Sequence, residues 1–160
     1  MKQLEEAIEL RNSGKHVEAN ELLVGLAGKF PNDAEVQYHC AWSFDVLGKE
    51  AEAVPYYESA LKLGLNDSDA KGAYVGLGST YRTLGEYEKA RKVLEEGITR
   101  YPDYLALRVF QAITLYNVKE YEKAMEMILL TLTQTSSDES IQSYRKAIEF
   151  YAKNLNEIWK

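Results

Sequence analysis

Gly85-Glu86-Tyr87-Glu88-Lys89-Ala90 returns 34 positions later as Lys119-Glu120-Tyr121-Glu122-Lys123-Ala124. A period of 34 is too long for one helix and suits a pair of antiparallel helices joined by tight turns. Such a pair has an apolar face it cannot bury alone, so neighbouring pairs must supply the core. The spacing predicts an all-α array whose work is binding rather than chemistry.

Outward from this hexapeptide, a turn residue and an alanine five positions beyond it mark four units. The first holds Ala7, Gly14, Ala19 and Pro31, and the second Ala41, Gly48, Ala53 and Ala60. The third holds Gly78, Gly85, Ala90 and Pro102, and the fourth Ala112, Lys119 and Ala124. Turn positions 14, 48, 85 and 119 lie 34, 37 and 34 apart, and the extra residues fall in the polar run Leu65-Asn66-Asp67-Ser68-Asp69. One domain is expected, with units at about 1–33, 34–68, 69–104 and 105–137 and a capping helix over 138–158.

Small residues at mid-helix positions let two backbones approach, where a larger side chain would strain the packing. Gly14, Gly48 and Gly85 end the first helix of their units, since glycine takes the left-handed backbone cheaply. Lys119 breaks that rule, so its turn must use another geometry or carry strain. Pro31 and Pro102 discourage continuation of the preceding helix. Helices are expected over 3–12, 16–29, 34–47, 50–63, 69–83, 87–100, 104–117, 121–134 and 138–157. Asn32 with Glu35, and Ser136 with Glu139, fit capping boxes. Asp67 and Asp103 suit simple N-caps. Pro55 should kink the fourth helix without breaking it. In the last helix Ile141, Tyr144, Ile148, Tyr151, Leu155 and Ile158 form one apolar stripe with a polar back, as a cap requires, and Trp159 lies beside it.

The 160 residues carry 19 basic and 25 acidic side chains, a formal charge of −6 and a pI near 5.1. That balance argues against a nucleic-acid partner, which needs a concentrated basic face, and against anionic membrane. Cys40 is the single cysteine and can form no internal disulfide. The polar start Met1-Lys2-Gln3-Leu4-Glu5-Glu6 lacks a signal segment, and no run approaches a membrane span, so a cytoplasmic protein is expected.

Chemistry has few candidates. His39-Cys40 are helix neighbours pointing about 100° apart, which makes a poor nucleophile–base pair. Cys40 occupies a small apolar position and reads as a buried structural thiol. His16, just after a turn glycine, is expected to be exposed. Two histidines and one cysteine make no convincing zinc site, and no metal or other cofactor is expected. Gly72, Gly76 and Gly78 belong to a helix with small faces, with neither the strand nor the Lys-Ser/Thr of a phosphate loop. The mixed charges from Glu86 to Glu96 read as a solvated face.

The units resemble tetratricopeptide repeats. The third carries the pattern best, with Tyr74, Leu77, Gly78, Tyr81, Gly85, Tyr87, Ala90, Leu94 and Pro102. The second follows with Cys40, Ala41, Phe44, Gly48, Ala53, Tyr57 and Ala60, although Leu65 stands where proline is expected. The first and fourth units are looser.

The resemblance implies a right-handed superhelical α-solenoid whose first helices line a concave, partner-binding groove. On this chain the implied lining is Leu4, Ile8, Arg11 and Asn12 in the first unit, then Tyr38, His39, Trp42 and Asp45 in the second. The third unit adds Val75, Ser79 and Arg82, and the fourth Val109, Phe110, Ile113, Tyr116 and Asn117. Relatives that clamp a terminal carboxylate use lysines and asparagines where this chain has Leu4, Ile8, Tyr38, Trp42, Val75 and Ser79, so that clamp is absent. Arg82 is placed to pair with Asp45 or with a partner's carboxylate.

The reading is a non-enzymatic, bacterial-type adaptor or scaffold that binds another protein or peptide in this groove. Two alternatives stay open: a self-associating scaffold, joined through the groove or the edge around Tyr151 and Trp159, and, remotely, an enzyme using the His39/Cys40 region. The last helix could also fold back into the groove.

Overall fold

The computed structural model describes residues 1–160. Its helices are α1 (Lys2–Asn12), α2 (His16–Lys29), α3 (Ala34–Val46), α4 (Glu50–Leu63), α5 (Asp67–Thr83), α6 (Tyr87–Arg100), α7 (Ala106–Asn117), α8 (Tyr121–Thr135), α9 (Glu139–Ser143) and α10 (Arg145–Ala152). Consecutive helices through α8 pack as antiparallel neighbours. The first helices also meet each other, α1 on α3, α3 on α5 and α5 on α7, whereas the second helices make no comparable contact. The solenoid therefore curls with α1, α3, α5 and α7 on the inside of the bend.

The turns inside the four pairs share one geometry. Gly14, Gly48 and Gly85 have φ of +83°, +68° and +78°. In each, the next residue's N–H reaches back five positions, from Lys15 to Leu10, Lys49 to Phe44 and Glu86 to Tyr81, at 2.9–3.0 Å. Lys119 does the same with a side chain present: its φ is +65°, and Glu120 N–H donates to the Leu115 carbonyl at 2.9 Å. The fourth turn thus keeps the shared motif and carries strain of about 1 kcal/mol.

The helix caps lie one or two residues from where the spacing puts them. Asp33 rather than Asn32 caps α3, accepting from Val36 N–H at 3.1 Å. Asn66 caps α5, which makes Asp67 the first helical residue and frees its carboxylate to accept from the Tyr101 hydroxyl at 2.8 Å. Asp138 caps α9, while Ser136 accepts from the Asp138 N–H. Asp103 caps nothing, because α7 begins at Ala106 behind Leu105. Gly64, at φ +94°, ends α4 before Leu65, and α4 runs unbroken through Pro55.

Three apolar clusters hold the array. Leu4, Ala7, Leu23, Leu26, Val36 and Cys40 join α1, α2 and α3. Tyr38, Ala41, Tyr57, Leu77, Tyr81 and Ala90 join α3 to α6. Ala70, Tyr74, Leu94, Tyr101 and Leu107 continue into α7. The α5 glycines make this packing possible: a Cβ on Gly72 would stand 2.3 Å from the Tyr38 hydroxyl, and one on Gly76 2.5 Å from that of Tyr57.

The expected single helix over 138–157 is two short ones. Residue 144 breaks the ladder, its N–H turning to the Ile141 carbonyl, and helix ends at Ala152. The bend lets Gln142 Nε2 donate to the Thr133 and Ser136 carbonyls at the end of α8, at 3.0 and 2.7 Å. Groups that a helix end leaves unpaired are thereby satisfied. α10 packs on α8 as a capping element, but the predicted stripe is mostly uncovered: Tyr144, Tyr151, Leu155 and Ile158 are exposed, and only Ile141 and Ile148 are half-buried.

Candidate functional site

On the inside of the bend, α3, α5 and α7 enclose a trough of about 500 Å³. Of the sixteen residues expected to line a groove, Tyr38, Trp42, Asp45, Val75, Ser79 and Phe110 meet there. Trp42 is the prominent one, 39% exposed, with the Arg11 guanidinium 3.5 Å from its ring centroid. A cation this close to an indole face is attracted by the ring quadrupole, and the contact holds the indole in place.

Beneath Trp42 the polar groups are largely committed to each other. Arg11 Nη1 donates to His39 Nδ1 at 3.1 Å, which puts the imidazole proton on Nε2, 4.0 Å from Glu35. Burial, reinforced by the Arg11 charge, holds the His39 pKa down at about 4, so the ring is neutral at pH 7. Both Asp45 oxygens accept hydrogen bonds, from the Tyr57 hydroxyl at 2.6 Å and Thr80 Oγ1 at 2.9 Å. Burial raises the Asp45 pKa, and these two donors oppose the shift. Tyr38 is pushed up to about 12, chiefly by burial.

The other expected groove residues lie elsewhere. Leu4, Arg11 and His39 are buried, and Ile8 packs half-buried against the first cluster. Asn12 is exposed at the end of α1. Ile113 and Tyr116 are exposed past the trough, with Tyr116 edge-on to Tyr121 at 5.1 Å, and Val109 is half-buried. Arg82 does not pair with Asp45, whose oxygens are already used; its Nε, like Asn117 Oδ1, is buried without a partner. Conversely, Tyr104 and Val46 line the trough without having been expected there. Tyr104, inside the helix that the spacing predicts over 104–117, precedes α7 instead, so its wall position depends on where that helix begins. The last helices do not fill the trough, because α10 lies on α8.

Cys40 is fully buried and its thiol is raised to about 12 by burial, the state of an inert packing residue. His16 is half-buried with Nδ1 unpartnered rather than exposed. No group of three His, Cys, Asp or Glu side chains could hold a metal ion.

The family described as Tetratrico peptide repeat matches residues 34–155. The chain belongs to that family. Superkiller protein 3 of Saccharomyces cerevisiae is 29% identical over 108 residues, a match covering 63% of this chain and 7% of that much longer protein. Among solved structures, a chain of the APC/C heterotetramer Cut9–Hcn1 superposes with a TM-score of 0.75 at 18% identity, over 91% of this chain and 29% of that one. YrrB, described as a TPR protein with an unusual peptide-binding site, superposes at 0.73 with 16% identity, over 98% of this chain and 79% of its own. These likenesses establish the solenoid of paired helices. No helix is long and apolar enough to cross a membrane.

A second concavity lies outside the expected groove. Between α6 and α8, over the back of α7, a cleft of about 650 Å³ is floored by Arg108, Gln111 and Leu115. These residues recur at spacings of three and four along one face of α7.

Proposed function

We propose that this tetratricopeptide repeat chain is a protein-binding adaptor that takes an extended peptide or a helix across its concave trough. Trp42 carries the reading. A large aromatic clamped by Arg11 and half-open over an unfilled trough is pre-organised contact surface, with little side-chain freedom left to lose on binding. Tyr104 and Phe110 continue an aromatic lining on the opposite wall. A reducing compartment such as the cytoplasm suits the single unpaired thiol. Affinity capture from the host lysate with the intact chain and with Trp42→Ala, both checked by circular dichroism, tests the reading. A protein retained by the first and lost from the second is expected; equal retention by both would refute it.

Self-association is favoured by a separate observation. Phe150, Tyr151 and Trp159 cluster with ring centroids 5.6–6.0 Å apart, yet all three remain more than half exposed. Exposed apolar clusters of this kind mark interaction surfaces. Light scattering across a dilution series, with Trp159→Ser beside the native chain, should show an oligomer that the substitution dissolves. A native chain monomeric at every concentration would exclude this reading.

A further inference from the structure

The fourth pair leaves open a ridge that the other three pairs bury. The turn positions fix the register: nine residues beyond each lie Leu23, Tyr57, Leu94 and Ile128. The first three are at most 2% exposed, and each shares an apolar cluster with the first helix of the next pair. Ile128 is 36% exposed. Met125 and Leu132 on the same face of α8 are exposed too. Tyr121 carries the ridge to Tyr116 on α7, edge-on at 5.1 Å, with Ile113 exposed one turn before it. The cause is the break at Tyr144. α9 sets out as a fifth first helix, with half-buried Ile141 standing 34 positions after Leu107. Past the break, α10 lies one ridge over, where Glu149 accepts from Thr133 Oγ1 at 3.4 Å and Thr133 is buried. Its counterparts Gly28, Lys62 and Thr99 all face solvent. The cap thus covers a face that the array normally leaves to water, and the normal docking ridge has no helix on it.

We propose that this ridge is a dimer interface whose occupant is the same ridge of a second copy, the two α8 helices packing antiparallel across a two-fold axis. This dimer presupposes the self-association reading and sets α8 at the centre of the contact. The Phe150–Trp159 cluster then lies at its edge, where Asn156 Nδ2 donates to Glu122 at the start of α8. In each earlier pair the ridge already takes a helix at an interface within the solenoid, so its shape suits helix packing. A patch that meets its own copy closes as an isologous dimer and exposes no further seat. Ile113, Tyr116, Tyr121, Met125, Ile128 and Leu132 together leave about 550 Å² of apolar surface open, at roughly 200 Å² per side chain. That matches the apolar share, about 60%, of the roughly 800 Å² each partner buries in a stable complex. Charge does not oppose the approach. Residues 119–160 carry six basic and seven acidic side chains, so most of the net charge of −6 sits in the rest of the chain.

Sedimentation of the intact chain across a dilution series, beside Met125→Glu and Met125→Lys, provides the test. Met125 is half-exposed, so neither charge should disturb the fold, which circular dichroism checks. The native chain should form a concentration-dependent dimer. Each variant alone should dimerise about tenfold more weakly or worse, because like charges then meet near the axis. An equimolar mixture of the two variants should restore the dimer, which no misfolded pair could do. An oligomer that both Met125 variants keep and Trp159→Ser dissolves would overturn the α8 pairing while leaving self-association through the aromatic cluster. A native chain monomeric at every concentration would remove both. A mixture that stays monomeric, or an assembly that grows beyond a dimer, would also overturn the two-fold pairing.

Discussion

Between α1 and α7, leucine, valine and tyrosine side chains interlock in three buried clusters. From α8 onward the same helix-pair plan buries mainly small or hydroxylated residues: Ala124, Thr131, Thr133 and Ala152. Met125, Ile128, Leu132, Phe150 and Tyr151 lie at the surface, and Met127, Leu129, Leu130 and Ile148 are only half-buried. The second and third pairs are covered on both sides by helices of full length, whereas the fourth is followed only by the five-residue α9 and eight-residue α10. Apolar burial, at about 25 cal/mol per Å², thus stabilises the first part of the solenoid far more than the last. The exposed end is free to engage other surfaces, and hydrogen exchange should find it the first part to open.

The largest effect should come from the core of that comparison. Leu94→Ala empties a fully buried site packed against α5 and should lower unfolding stability by about 3 kcal/mol. Leu132→Ala, 38% exposed on α8, should lose less than about 1 kcal/mol. Urea denaturation of both would erase the contrast if the losses matched.

Acid should weaken the first part specifically. His39 titrates near 4 in the folded chain and near 6.5 when unfolded. Between those values the unfolded chain holds the extra proton, so stability falls as pH drops from 6.5 towards 4. At this site the loss is on the order of 2–3 kcal/mol. Denaturation at pH 7 and 4.5 should show His39→Gln losing less than the native chain; parallel losses would remove His39 as the source.

The turns allow a finer test. Gly85→Ala puts a side chain at φ +78° and should lose about 1–2 kcal/mol. Lys119→Gly relieves the same geometry in the fourth pair and should gain about 0.5–1 kcal/mol. Thermal melts in which Lys119→Gly is destabilising would mean that the lysine side chain contributes more than its backbone strain takes away.

Reading the chain alone locates the helix pairs because a 34-residue period and small-residue positions are local, repeated signals. Gly14, Gly48 and Gly85 announce their turns, since left-handed backbone is a property of single residues. The candidate groove is less legible. Tyr38, His39 and Trp42 are neighbours on α3, yet His39 is buried, Tyr38 offers only an edge, and Trp42 stands half-open. Arg11, 28 residues from His39, bonds one of these rings and stacks on another, while Tyr57 and Gly72 cover Tyr38. Asp45 likewise looks available to Arg82 until Tyr57 and Thr80 are seen on its oxygens.

The all-α class, the pairing of helices and the family follow from residue types at fixed spacings. The split of the last helix and the exposure of its stripe do not. They depend on which neighbour reaches a side chain first, and that is set by the curl of the whole solenoid rather than by any local spacing.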